Sequence, residues 1–327
     1  MTTDDHEAAG LFKVAADPGD AVGQYNLGLS YENGLGGLPK HDREAVRLYR
    51  LAADQGHTLA QYRLGLSYAY GVGGLTKDDL EAARLFRLAA DQGDALAQYI
   101  LGLFYEKGRG GLPKDEREAA QLYKLSADQG DARAQNNLGL FYEKGRGGLP
   151  KDEHAAVRLY KLSADQGNAA AQINLGIFYE DGRGGLTRDD REAARLYKLA
   201  ADQGSALGQT NLGLFYAKGV GGLTLNEREA VHLFKLAADQ GFAAAQHSLG
   251  LFYENGRGGL KKDEREAARL YMLAAEQDDA VAQFNLAALY ETGRGVAKDM
   301  NKALRWYNRA AESGDAEAKD RLKMLRG

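Results

Sequence analysis

The chain copies itself at a fixed spacing. The run Gly102-Leu103-Phe104-Tyr105-Glu106-Lys107-Gly108-Arg109-Gly110-Gly111-Leu112 recurs with small edits, and the block Leu101–Glu116 is identical to the block Leu138–Glu153. Gly19, Gly56, Gly93, Gly130, Gly167, Gly204 and Gly241 stand 37 residues apart, Asp278 continues the series, and Gly314 follows after 36. A period of this length is the mark of a repeat architecture, which grows by adding units and not domains. It overrides the prior of about two domains that 327 residues would suggest. We therefore read one repeat domain over 1–327: a half repeat over 4–19, eight full repeats over 20–314, and a capping helix over 315–327.

Each unit reads as two helices. In the third unit, Ala95, Ala97, Gln98, Leu101, Gly102, Phe104 and Tyr105 fall on the i, i+3, i+4, i+7 spacing of a helix with one buried face. Gly108 supplies a left-handed stop, and Pro113 forbids helix in the loop that follows. A second helix opens at Asp115, with Glu118 at capping-box spacing. Ala119, Leu122, Tyr123, Leu125 and Ala127 make its expected buried stripe. His41 replaces the capping Asp in the first unit, so Asp42 is expected to take over that cap. Glu81/Arg84, Glu192/Arg195 and Glu266/Arg269 are spaced for outer-face ion pairs, each worth about 0.2–0.5 kcal/mol. The expected class is all-α, an α/α superhelical solenoid of about 18 helices.

Gly102 recurs in seven copies although a helical glycine costs about 1 kcal/mol relative to Ala. Close approach of the two helices, with small Ala residues facing the glycine, offsets that cost. A ligand contact there would require a ligand repeating at the same pitch. Residues 4–17 match the second helix alone, with Phe12 in the Tyr49 column. Ala316–Arg326 matches the first helix, with Lys319 and Lys323 in place of Gln and Gly and a more polar face suited to a cap.

Composition narrows the chemistry. With no cysteine, disulfides, thiolate metal sites and a Cys nucleophile are excluded. A net charge of −4 with interspersed signs argues against a nucleic-acid partner. Residues 1–10 lack the basic and apolar regions of a signal peptide, and no run of about 18 apolar residues exists. These features favour a cytoplasmic chain without a membrane partner. The six histidines show no metal-ligand spacing, no carboxylate pair stands out as an acid/base couple, and the Gly-rich loop lacks the order of a phosphate loop. We expect no cofactor, no metal site, no catalytic residues, and a monomer. Trp306 falls in the Tyr column and is assigned to the core.

The pattern Ala-x-Ala-Gln-x-x-Leu-Gly-x-x-Tyr-Glu-x-Gly-x-Gly, followed by Asp-x-x-x-Ala-x-x-x-Tyr-x-x-Ala-Ala-x-x-Gly, resembles the Sel-1-like repeat, a relative of the tetratricopeptide repeat. Gln283, Leu286, Tyr290, Gly293, Gly295, Asp299, Ala303, Tyr307 and Ala310 carry the likeness most fully. Earlier units read Gly-Arg-Gly-Gly-Leu where the family has Gly-x-Gly-Val, and one extra loop residue is cheap. The resemblance implies an adaptor that binds a protein or extended peptide, often in bacterial signalling or protein quality control, with the first helix of each unit lining a concave groove. Some cysteine-rich members are associated with β-lactam binding or hydrolysis. Here Cys and a Ser-x-x-Lys motif are both absent, so a hydrolase stands only as an alternative, beside a purely structural or engineered repeat.

If the first helix lines the groove, the columns that differ between copies carry the function. One column reads Tyr25, Tyr62, Tyr99, Asn136, Ile173, Thr210, His247 and Phe284; the next reads Asn26, Arg63, Ile100, Asn137, Asn174, Asn211, Ser248 and Asn285. Tyr25, Tyr62 and Tyr99 would form an aromatic ladder, and aromatics are favoured binding anchors. Asn137, Asn174 and Asn211 would clamp a peptide backbone. The expected binding face comprises Tyr25, Tyr62, Arg63, Tyr99, Asn136, Asn137, Asn174, Asn211, His247, Phe284 and Asn285. The alternative for the aromatic column is packing between adjacent repeats.

Overall fold

The computed structural model of the chain describes residues 19–326. The half repeat expected over 4–19 lies, apart from Gly19, outside the described residues. Those described contain seventeen helices and no strand. They fall into two compact units divided after Gln166. The first holds α1 (Ala21–Asn33), α2 (Asp42–Asp54), α3 (Thr58–Tyr70), α4 (Asp79–Asp91), α5 (Ala95–Lys107), α6 (Glu116–Asp128), α7 (Ala132–Lys144) and α8 (Glu153–Asp165). The second holds α9 (Ala169–Asp181), α10 (Asp190–Asp202), α11 (Ala206–Lys218), α12 (Glu227–Asp239), α13 (Ala243–Asn255), α14 (Glu264–Ala275), α15 (Ala280–Thr292), α16 (Met300–Glu312) and α17 (Ala316–Arg326). Odd-numbered helices up to α15 are the first of a pair (A helices) and even-numbered ones the second (B helices). Within a unit each helix packs on its chain neighbours, as a solenoid built of repeats requires.

Local chemistry sets the helix ends. The Asp94 carboxylate accepts from the Ala97 N–H at 2.7 Å, satisfying a donor that the first turn of α5 leaves free. Gly108 ends α5 at φ +63°, a conformation that other residues adopt only under strain. The following Arg109 N–H closes back on the Phe104 carbonyl at 2.9 Å, a Schellman-type end. At the start of α6, Asp115 Oδ1 accepts from the Arg117 and Glu118 N–H groups. Only half of the expected capping box forms: the Asp115 N–H donates to the Tyr105 carbonyl instead, tying the loop to α5. In the first pair His41 itself is the cap, its Nδ1 accepting from Glu44 N–H at 3.1 Å, and Asp42 is already helical.

The recurring helical glycine is explained by a ring and not by small alanines. A Cβ on Gly102 would stand 2.8 Å from Tyr123 Cε1, so the fully buried Tyr123 ring packs directly against the α5 backbone. Burying such a ring is worth about 4–6 kcal/mol at 25 cal/mol per Å², which outweighs the roughly 1 kcal/mol cost of the glycine. The same ring meets Phe141 of the next A helix edge-on, with centroids 5.4 Å apart. Phe86–Phe104 in the first unit, and Tyr197–Phe215 and Phe234–Phe252 in the second, repeat this contact. In these four cases the B-helix aromatic packs within its own pair and onto the next A helix.

Two core assignments change. Leu125 is half exposed, and Ser126 takes the buried place, its hydroxyl donating to the Ala95 carbonyl at 2.7 Å. Trp306 is only partly buried and lies under Arg309, while Tyr307 occupies the aromatic column, because the eighth loop is one residue shorter. Asp278 holds a positive φ of 65° where the other units place glycine, and its carboxylate accepts from Arg309. The outer-face pairs Glu81–Arg84, Glu192–Arg195 and Glu266–Arg269 all form at 2.6 Å.

Candidate functional site

Each A helix buries the columns of Gln98, Leu101, Gly102 and Phe104; the first three hardly change between copies, whereas the last reads Ser30, Ser67, then Phe, then Leu289. It leaves one stripe at least partly open, spaced i, i+4, i+7, i+11. In α5 the stripe is Leu96, Ile100, Leu103 and Lys107. In α3 it is Leu59, Arg63, Leu66 and Tyr70, and in α7 Arg133, Asn137, Leu140 and Lys144. In the second unit, α9 offers Ala170, Asn174, Ile177 and Asp181, and α11 offers Leu207, Asn211, Leu214 and Lys218. Apolar groups mostly hold the first and third positions and polar groups the second and fourth; Arg133 at a first position and Ile100 at a second are the exceptions. Arg63, Asn137, Asn174, Asn211 and Asn285 all occupy the second position and are half buried.

The preceding column turns further inward. Tyr62, Asn136, Ile173 and Thr210 are buried, whereas Tyr25, Tyr99, His247 and Phe284 are partly open. The five aromatic members pack against the B-helix aromatic of their own pair: Tyr25 on Tyr49, Tyr62 on Phe86, Tyr99 on Tyr123, His247 on Tyr271 and Phe284 on Tyr307, with centroids 5.4–6.1 Å apart. No ring contact joins Tyr25, Tyr62 and Tyr99 to one another among the described residues. Side chains at the start of the following A helix cover two of the rungs instead. His57 stacks on Tyr25 at 4.8 Å, and the Arg133 guanidinium lies 4.6 Å over Tyr99, held by Asp131 at 2.8 Å. Burial raises the hydroxyl pKa of Tyr62 and Tyr99 and lowers that of the His57 and His247 imidazoles. His247 Nε2 lies 3.2 Å from the Asn285 amide, which brings two expected site residues together.

Beneath this face runs a polar ladder that the repeat pattern alone did not reveal. The Tyr123 hydroxyl donates to Glu106 at 2.6 Å, and Tyr49–Glu32, Tyr160–Glu143, Tyr197–Glu180, Tyr271–Glu254 and Tyr307–Glu291 do the same at 2.6–2.8 Å. Burial, reinforced by the carboxylate, pushes the Tyr123 hydroxyl far above the usual phenol range, so it stays a donor. Arginines of the following repeat reach the same carboxylates: Arg63 to Glu32, Arg146 to Glu106, Arg294 to Glu254, and Arg321 to Glu291. The signal was present in the chain. Where the B-helix aromatic is Phe86 or Phe234, with no hydroxyl, the matching A-helix position is Ala69 or Ala217. A carboxylate there would be half buried without its donor, a costly arrangement.

Glutamines form a second ladder. Gln98 Nε2 donates to the Ala90 carbonyl of the preceding B helix, and its Oε1 accepts from Gln129 at 2.8 Å. In the last pair Ser313 stands in the Gln129 column, and Gln283 Oε1 is buried without a partner.

This arrangement has one recurrent shape. The Sel1 repeat pattern matches eight times, over residues 21–57, 58–94, 95–131, 132–168, 169–205, 206–242, 243–279 and 280–315. The chain belongs to the Sel1 repeat family. A similar solved structure is c5321 of uropathogenic Escherichia coli, a protective antigen with an SLR fold: 35% identity over 97% of this chain and 67% of that one, TM-score 0.72. A Sel1 repeat protein of Oxalobacter formigenes is 31% identical over 97% of this chain and 89% of its own, with a TM-score of 0.63. No protein of curated function matches the chain. Sel1 repeat proteins are generally non-catalytic scaffolds for protein interaction, and nothing in the fold or these likenesses supports the hydrolase alternative. No described helix is long and apolar enough to cross a membrane.

Proposed function

We propose that the chain is a scaffold that binds a partner protein, or an extended segment of one, along the open stripe of its A helices. One observation carries the reading. The buried Gln98, Leu101 and Gly102 columns are held nearly constant through the copies, while the first, second and fourth stripe columns vary, as Asn26, Arg63, Ile100, Asn137 and Ser248 show at the second. Packing fixes the first set; a surface that only faced water would need no alternation of apolar and polar groups in register from helix to helix. The second-position amides and Arg63 offer hydrogen bonds to a peptide backbone, and Leu59, Leu96 and Leu207 offer apolar contact.

The recessed column has a narrower role than a ladder of free rings. Tyr25 and Tyr99 are partly open and rest on the B-helix ring of their own pair, so in this reading they act as a firm floor for a bound segment. A photo-crosslinking residue at Ile100 or Asn137, compared with one at the exposed B-helix position Gln121, tests the assignment in a lysate of the source cell. A defined adduct from the A-helix positions, lost on Leu96→Asp, supports it. Adducts from Gln121 alone, or equally from all positions, would remove it.

A further inference from the structure

The stripe of the first unit has a charge character that the repeat architecture does not require. From α1 to α7 its charged members are Arg63, Lys107, Arg133 and Lys144, all cationic. The acids around them are already engaged. Glu32 takes the Tyr49 hydroxyl and Arg63, and Glu106 takes the Tyr123 hydroxyl and Arg146. Glu143 takes the Tyr160 hydroxyl, and Asp94 caps α5. Asp131 caps α7 while holding Arg133 on Tyr99. Lys107 and Lys144 are exposed and make no ion pair among the described residues. Arg63 has only a loose contact with Glu32 at 3.4 Å. The stripe of the second unit carries Asp181 and Lys218, one charge of each sign.

Lysines in a last helical turn also suit the helix dipole. That reason applies equally to Lys107, Lys144 and Lys218, and does not account for Arg63 and Arg133, which sit earlier in their helices. The cations are set around apolar side chains, Leu59, Leu96 and Leu103, so charge and apolar contact are offered together. Contacts link neighbouring A helices beside the stripe: His57 at the start of α3 lies on Tyr25 of α1, and Arg133 of α7 lies on Tyr99 of α5.

We infer that the A-helix stripe of residues 19–166 takes an acidic protein segment with interspersed apolar anchors, its carboxylates meeting Lys107, Lys144 and Arg63. This rests on the binding face proposed above and adds the partner's chemistry. Opposite charge across a partly solvated surface acts mainly on selectivity and association rate, and it weakens with salt.

The test uses the full chain and fluorescein-labelled synthetic peptides repeating Glu-Glu-Leu-Gly, Lys-Lys-Leu-Gly or Ser-Ser-Leu-Gly, read by fluorescence anisotropy. The Glu peptide should bind, and more weakly as salt rises. The K107E/K144E pair should weaken it by about tenfold, K107Q/K144Q by less, and K218E hardly at all. Both lysines are exposed, so thermal melts of these variants should match the parent chain. If the Lys or Ser peptide binds as tightly as the Glu peptide, and Leu96→Asp abolishes that binding, the acidic assignment is wrong and the binding face stands. If no peptide binds, or binding ignores both K107E/K144E and Leu96→Asp, the acidic assignment falls. In that event only the crosslinking from Ile100 and Asn137 would still support the face.

Discussion

The two units share their interiors and differ on their A-helix faces. In both, a buried B-helix ring lies against a helical glycine and a tyrosine hydroxyl meets a carboxylate, as at Tyr123–Glu106 and Tyr271–Glu254. The recessed column, in contrast, reads Tyr25, Tyr62, Tyr99 and Asn136 in the first unit and Ile173, Thr210, His247 and Phe284 in the second. Buried positions such as the Gln98, Leu101 and Gly102 columns leave little room for change, because interiors are packed as densely as crystals. Positions that fit only one neighbour are free to diverge, and they are where a partner can be distinguished.

If that contrast is right, disturbing the shared interior should cost the same in either unit. Gly102→Leu in the first and Gly250→Leu in the second each drive a side chain into a buried tyrosine ring, Tyr123 or Tyr271. Each should lose about 3 kcal/mol or more by urea unfolding, and a mild effect in one unit alone would break the equivalence.

The tyrosine–carboxylate pairs give the next largest effect. Tyr123→Phe should cost about 1.5–3 kcal/mol, because Glu106 loses a charge-assisted hydrogen bond at 2.6 Å. Phe86→Tyr should also destabilise, since Ala69 offers its hydroxyl no acceptor, and adding Ala69→Glu should recover most of the loss. The same cycle at Phe234 and Ala217 tests whether the second unit obeys the same rule. Additivity between the two substitutions would argue against a coupled pair.

Ser313→Gln probes the one place where the glutamine ladder is broken. It should gain about 1 kcal/mol by supplying a donor to the buried Gln283 Oε1. No gain in the melt would show that the orphaned oxygen is met otherwise.

The pH response should be small and shared. Burial holds the imidazoles of His57 in the first unit and His247 in the second below their ordinary pKa, with Asp279 opposing the shift at His247. The unfolded chain therefore takes up these protons first as pH falls through about 6.5, and stability declines between neutrality and pH 5. His57→Asn, whose side-chain oxygen can replace the His57 Nδ1 that accepts from the Ala60 N–H at the start of α3, and His247→Asn should each flatten part of that slope. The smallest effect is expected at Leu125→Ser, which lies on the open B-helix face and should change stability by less than about 0.5 kcal/mol.

Much of the fold was legible from residue order. The helix ends at Asp94, Gly108 and Asp115 were readable because caps and left-handed stops are local, made by groups within a few residues of one another. The expectation of a cap at Asp42 failed because His41 presents its own acceptor nitrogen, a matter of side-chain geometry and not of residue type. Leu125 looked internal by helical spacing; the face it belongs to has no further layer over it. For the candidate face, the half-buried second-position residues were identifiable as a varying column, whereas the inward turn of Tyr62 and Asn136 was not, since one helical step separates an open position from a covered one.

By itself, then, the sequence determined the family, the helix pairs, their ends and the columns, because a repeat writes its local rules eight times. Only the tertiary structure decided which groups meet across 17 residues, as Tyr123 and Glu106 do, or across 31, as Gln129 and Gln98 do. Those meetings decide which carboxylates and amides are used up inside the protein and which cations, such as Lys107 and Lys144, stay open to a partner. The physical reason is that a side chain's availability depends on the neighbours that packing brings to it, and packing joins positions that the order of residues keeps apart.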